Sequence, residues 1–150
     1  MGGLCDAQGV KLEDCFANSF CLSADVSNAF DPNWPEHCDR RNNSQLNYGI
    51  SICKYTGSRG KGGASDASAE DMSHIRTTFD NAGVVWQIAT LGAVDVGGGG
   101  TIAWITARYG MEVIDSGMAL LCMHAPMEVA SKADIHEAVK GYKAFLKEME

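Results

Sequence analysis

Short apolar runs, each closed by glycine, proline or an acid, alternate with segments of helical periodicity, and this alternation constrains the fold most. SFCLSAD (19–25), ISICKY (50–55), VVWQIATL (84–91), MEVIDSG (111–117) and ALLCMH (119–124) have the length of buried strands. Between them lie helical patterns. One runs over 66–82, with Ser65 as cap, Asp66, Glu70 and Asp71 in its first turns and Gly83 at its end. Met72, Ile75, Phe79 and Ala82 give it one apolar stripe. A short helix covers Thr101 to Arg108 and stops at Tyr109-Gly110. The last, over 132–148, carries Ile135, Val139, Tyr142, Phe145 and Leu146 on one face. Strands alternating with helices predict a three-layer α/β/α sandwich around a mostly parallel or mixed sheet.

The 150 residues fit one globular domain, and no run reaches the roughly 18 apolar residues a membrane helix needs. The N-terminus has neither the basic patch nor the apolar core of a signal peptide. A formal charge of −7 argues against a nucleic-acid partner, since phosphate binding needs a basic surface. There are six cysteines, but no Cys-x-x-Cys pair, so neither a thiolate zinc site nor a disulfide scaffold is expected. Cys21, Cys53 and Cys122 fall in apolar runs, where a thiol acts as a small hydrophobe. The expected compartment is the cytoplasm, with no membrane contact.

In open α/β sheets, ligands collect beyond strand ends. Asp25, the Gly97–Gly100 loop and His124 all stand at such ends. Residues 26–48 are polar and rich in Asn, with Pro32 and Pro35, and form a loop long enough to carry function. His124 alone reads as a core histidine at a strand end, or as a ligand aimed outward before Pro126. Asp25, followed by the polar loop, has the same character, and the two together suit a hard-to-borderline metal. Lys54, at the end of an apolar strand, either faces inward or snorkels to water. The glycine run is a flexible turn or a loop whose bare backbone approaches a ligand. It fails the dinucleotide template at Ile102, and GSRGKGG fails the phosphate-loop template at Tyr55. His37, His74 and His136 read as surface residues.

The blocks LSADVSNAFDPNWPE, NYGISICKYTGSRGKGGASDA, WQIATLGAVDVGGGGT and MHAPMEVASKADIHEAVKGYKAF, in this order, resemble the C-terminal part of the aspartyl aminopeptidase family, cocatalytic zinc exopeptidases. The resemblance covers about 19–147 and implies part of a zinc-exopeptidase fold over 19–150, leaving 1–18 unassigned. It implies that Asp25 is a terminal ligand of one zinc and His124 of the other. It places Lys54 at the family's substrate-pocket lysine, and Gly98, Gly99, Gly100 and Thr101 at the loop flanking the substrate. Two zinc ions, peptide substrates and a homo-oligomeric complete enzyme follow from the same resemblance. Asn28 and Asp31 stand where eukaryotic members carry histidines, which weakens strict acidic-residue specificity. The family's upstream His-x-Asp motif, before Asp25, and its Glu-Glu pair do not occur here. A fragment of a longer peptidase, inactive by itself, is therefore expected. The alternative is a non-catalytic α/β binding module.

Overall fold

Alternation along one long strand separates the two faces of the main sheet. The structure, a computed structural model, describes residues 1–58, 62–93, 96 and 99–148. In β3 (Ile50–Ser58), Ile50 and Ile52 point to one side, and Ser51 and Cys53 to the other. β3 pairs in parallel with β5 (Trp86–Thr90) and antiparallel with β6 (Glu112–Gly117) and β4 (Gly62–Asp66). β1 (Phe20–Ser23) lies parallel to β6, with Ser23 opposite Asp115. A second, three-stranded sheet sets β2 (Ser27–Asn28) parallel to β7 (Ala119–Leu121), which pairs antiparallel with β8 (Val129–Ala130). Two short helices, α1 (Gly2–Gln8) and α2 (Leu12–Ala17), precede β1.

Helices α3 (Ala69–Asn81) and α5 (Lys132–Glu148) cover the isoleucine face. Ile50, Ile52, Met72, Ile75, Phe79, Ile114 and Ala138 make the apolar core, with Tyr142 and Phe145 packed against it. The opposite face receives α4 (Ala103–Ala107) and the second sheet. The expected α/β architecture with a mixed sheet is what the chain adopts.

Several boundaries differ from the sequence reading, each for a local reason. The helix expected from 66 starts at Ala69, because Ser65 and Asp66 belong to β4, where the Ser65 and Thr56 hydroxyls lie 2.6 Å apart. Ser68, three residues on, is the cap and accepts from the Asp71 N–H at 3.0 Å. The glycine-rich turn after residue 55 is instead the continuation of β3 and a hairpin partner, β4; residues 59–61 lie outside the described ones. β7 stops at Leu121, because Cys122 and His124 take left-handed φ values of 57° and 68°.

The last helix has the expected limits, and Tyr142 and Phe145 of its expected face pack on the core, but the buried face is rotated away from the rest of that stripe. Asp134, Ala138 and Gly141 are buried, whereas Val139 and Leu146 are 53% and 66% exposed. Small residues let α5 approach α3 closely: a Cβ at Gly141 would come within 3.1 Å of the Phe79 ring. Asp134 accepts from the Asn47 and Gly49 N–H groups, at 2.8 Å each, and fastens the turn before β3 to this helix.

Phe79→Ala, which empties a fully buried site, is expected to cost about 3–5 kcal/mol in urea unfolding. Leu146→Ala, on the predicted stripe of α5 but solvent-facing, is expected to cost less than about 0.5 kcal/mol. Equal losses would contradict this packing.

Candidate metal centre

The cleft is built where β1 leaves the main sheet for the second one. Ser23 ends β1, and the Asp25 N–H turns back to the Ser23 carbonyl at 2.8 Å. Asp25 Oδ1 accepts from the Val26 N–H at 2.8 Å, which fixes the carboxylate against its own backbone. Ser27 and Ala29 then donate to the Met118 and Leu120 carbonyls, so the segment is held along β7. The crossing is tight: a Cβ on Gly117 would sit 2.1 Å from the Asp25 carbonyl oxygen. Only glycine permits that approach.

His124 reaches the same place from the turn after β7. Its N–H donates to Glu128 Oε1 at 2.6 Å, and Ala125 N–H donates to the Cys122 carbonyl at 2.9 Å. It is an exposed residue in a left-handed turn, not a strand end. Asp25, His124, Gly99, Gly100 and Thr101 all line one cavity of about 360 Å³, whose walls are completed by Val26, Asn28, Leu91 and Met123. The sequence-predicted residues on three separate segments thus converge.

Lys54 does not join them. It is bound to the Asp66 carboxylate and, at 2.6 Å, to the Ala67 carbonyl. Its strand runs on to Ser58, so Lys54 sits mid-strand. Gly98 lies outside the described residues. His37, His74 and His136 are exposed, as expected of surface histidines.

The sequence offers Asp66, Asp95 and Asp115 only as reserve metal ligands and does not place Asp115 in the site; it is the carboxylate behind Thr101. It is 2% exposed and accepts from Thr101 Oγ1 at 2.8 Å and Ser65 Oγ at 3.3 Å. Thr101 Oγ1 in turn accepts from the Ala103 N–H at 3.3 Å, so one carboxylate steadies the loop and the start of α4. Ser23 faces it across the β1–β6 pair, yet Ser23 Oγ and Asp115 Oδ1 stop short of a hydrogen bond. Burial pushes the Asp115 carboxyl above the usual carboxylate range; the neighbouring Ser23, Thr101 and Ser65 hydroxyls oppose this, and the nearby Asp25 charge adds to it. The available signal was an acid in the middle of an apolar strand, which needs buried partners. Cys53, on the same sheet face, is pushed up to about 12 by burial and stays a neutral thiol.

One carboxylate and one imidazole facing a shared cavity are the right ligand types for zinc. Among the described residues no group of three His, Cys, Asp or Glu is placed to hold a metal ion. Asp66 is taken by Lys54, Asp115 lies behind Thr101, and Asp95 is outside the described residues. These residues fit part of a zinc site.

The sequence profile of the Aminopeptidase I zinc metalloprotease (M18) family matches residues 5–146. The chain belongs to this family. The match reaches back into the 1–18 segment that the motif resemblance left unassigned. A probable M18 family aminopeptidase 1 of Clostridium acetobutylicum is 55% identical over 141 residues, covering 94% of this chain and 30% of the relative. One from Thermotoga maritima is 43% identical over 149 residues, covering 99% and 33%. The crystal structure of aminopeptidase I from Clostridium acetobutylicum superposes with a TM-score of 0.86 at 54% identity, over 95% of this chain and 31% of that one. The dodecamer of Saccharomyces cerevisiae mApe1 shares the fold, with a TM-score of 0.72 at 24% identity over 97% of this chain and 33% of that one. The chain thus spans about a third of the length of the relatives it matches. Among the described residues, no helix of this M18 chain is long and apolar enough to cross a membrane.

Gly117→Ala places a methyl against backbone rather than a yielding side chain. It is expected to cost about 1–3 kcal/mol and to move the Asp25 and Val26 amide resonances, which urea unfolding and NMR would read. A silent substitution would remove the tight crossing. For Asp115 the folded carboxyl keeps its proton at a pH where the unfolded one has lost it. Stability from this group therefore falls as pH rises from the usual carboxylate range to the raised folded value. Asp115→Asn keeps an acceptor for Thr101 and is expected to flatten that part of the pH profile of urea midpoints.

Proposed function

We propose that this chain is the C-terminal part of a zinc-dependent aminopeptidase that releases N-terminal residues from peptides through a dinuclear metal site. The observation that supports it best is the single cavity shared by Asp25, His124 and the Gly99–Thr101 loop. In this reading Asp25 is a terminal ligand of one zinc and His124 of the other. Bound zinc supplies carbonyl polarisation and a water whose pKa is lowered toward about 7. Asp25 meets its ion with a carboxylate already oriented by the Val26 N–H. Gly98, Gly99 and Gly100 leave the backbone bare toward the substrate, and Thr101, seated on Asp115, holds that loop in place. Lys54 contributes a substrate contact once its ammonium exchanges Asp66 and the Ala67 carbonyl for the peptide.

The remaining ligands and the general base belong, in this reading, to the part of the relatives' length that the chain does not span. Homo-oligomeric assembly of the complete enzyme is part of the same proposal, with the yeast dodecamer as its support. A cytoplasmic setting accords with six free cysteines. The short donor set favours one other reading for the chain by itself, a non-catalytic α/β binding module.

The purified chain is expected to hold far less than stoichiometric zinc and to leave aminoacyl substrates intact, because one imidazole or one carboxylate per ion competes poorly with water. Co-expression with the remaining part of the Clostridium acetobutylicum relative is expected to restore both zinc content and hydrolysis, and His124→Ala to abolish them. Failure of complementation would favour the binding module. Stoichiometric zinc with turnover in the lone chain would show ligands other than those assigned.

A further inference from the structure

Asn28 and Met123 line two cavities at once, and the second extends the cleft away from Asp25 and His124. It measures about 360 Å³ and is lined also by Asp31, Trp34, His37, Cys38, Cys122 and Ala125. Its chemistry is uneven. Met123, Ala125, Cys122 and the Trp34 indole, itself 60% exposed, give an apolar wall, while Asp31 brings a carboxylate. Asp31 Oδ1 accepts from the Asn33 N–H at 2.8 Å, which orients the group. Among the described residues, no lysine or arginine lines either cavity. The imidazole of His37 has Glu36 3.9 Å from its Nε2, so a protonated ring there already faces an acid. Trp34 and His37 lie with ring centroids 6.5 Å apart, and the His37 carbonyl accepts from the Ala93 N–H at 2.9 Å, which ties this wall to the chain after β5.

We propose that this second cavity is a side-chain subsite selecting a cationic residue, lysine or arginine, next to the scissile bond. The proposal rests on the peptidase reading, since it takes the occupant to be a peptide side chain. A lysine or arginine stem is apolar and lies along Met123 and Ala125, and its head reaches a carboxylate and an indole face. An indole face attracts a cation through its quadrupole, and Asp31 adds direct charge attraction. An acidic side chain would meet Asp31 with no lysine or arginine in the described lining to offset it.

The test uses the whole 150-residue chain without metal and follows the Trp34 indole and Ala125 amide NMR resonances during titration. The probes are lysinamide, norleucinamide and the α-amide of glutamic acid, which share the α-ammonium group and differ at the side-chain end. Lysinamide is expected to bind roughly five-fold more tightly than norleucinamide, and the glutamate amide more weakly than either. Asp31→Asn retains the acceptor for Asn33, so the loop keeps its shape. In that variant lysinamide is expected to fall to the level of norleucinamide. Equal affinity for the three amides, an unchanged lysine preference in the variant, or no Trp34 response up to roughly 50 mM ligand would overturn the proposal. The readout needs neither zinc nor turnover. A chain that ranks the amides as expected but is never complemented to activity would keep the subsite and lose the peptidase reading, and the reverse result would do the opposite.

Discussion

The passage of Asp25 over Gly117 is the contact on which the cleft depends. β1 and β6 run in parallel, with Ser23 beside Asp115, so two residues further on the chain meets Gly117. There β1 must leave the main sheet to become β2, and it can cross only because position 117 has no side chain. The crossing sets Asp25 at the sheet's end, lays Ser27 and Asn28 against β7, and so fixes the strand from which the His124 turn departs. One missing methyl therefore controls the relation between a carboxylate and an imidazole that lie far apart in sequence.

The sheet face behind this cleft is polar although it is buried, and hydroxyl pairing makes that tolerable. Ser51 Oγ donates to Ser44 Oγ at 2.7 Å, Ser44 Oγ donates to Ser27 Oγ at 2.9 Å, and the Cys53 thiol donates to Ser27 Oγ at 3.5 Å. Buried hydroxyls that satisfy one another avoid most of their desolvation cost. The chain of groups joins β2, the segment before β3, and β3 itself, so the second sheet is fastened to the main one by directional bonds. An apolar interface there could slide by a residue. Hydrogen bonds between specific hydroxyls hold the register that brings Asn28 and Leu120 together.

Most of the layer architecture was legible in the sequence, because strand-length apolar runs and helical periodicity follow directly from burial. What was not legible has a common cause. The periodicity of α5 pointed to Ile135, Val139, Tyr142, Phe145 and Leu146. Tyr142 and Phe145 do pack on the core, but the helix turns Ala138 and Gly141 inward in place of the other three, since close approach to Phe79 outweighs the size of the buried side chain. Ser65 and Ser68 are equally good caps in isolation, and only the pairing of β4 with β3 decides between them. β4 itself was hidden because glycines carry no side chain whose alternation could be read. The site shows the same division. Strand ends legible in the sequence lead Asp25, His124 and Gly99–Thr101 to one cavity, whereas the left-handed turn that carries His124 and the burial of Asp115 depend on partners distant in sequence.

Lys54 shows how a residue can match a motif and still stand outside a cleft. Its ammonium has two oxygen partners supplied by the hairpin it helps to build, Asp66 and the carbonyl of Ala67. Asp66 is the register partner of Tyr55, so the acid that captures Lys54 is delivered by the pairing of β3 with β4. The pair is largely solvent-exposed, and exposed ion pairs contribute only about 0–1 kcal/mol, so little holds the lysine there against a better partner. The cleft has the opposite balance. Its described lining holds the Asp25 carboxylate, with Asp31 in the adjoining cavity, and no lysine or arginine. Cations, whether metal ions or substrate side chains, are the species such a cleft attracts. A lysine entering it would move toward the acids, and any zinc held by Asp25 would take up the very charge that draws it in.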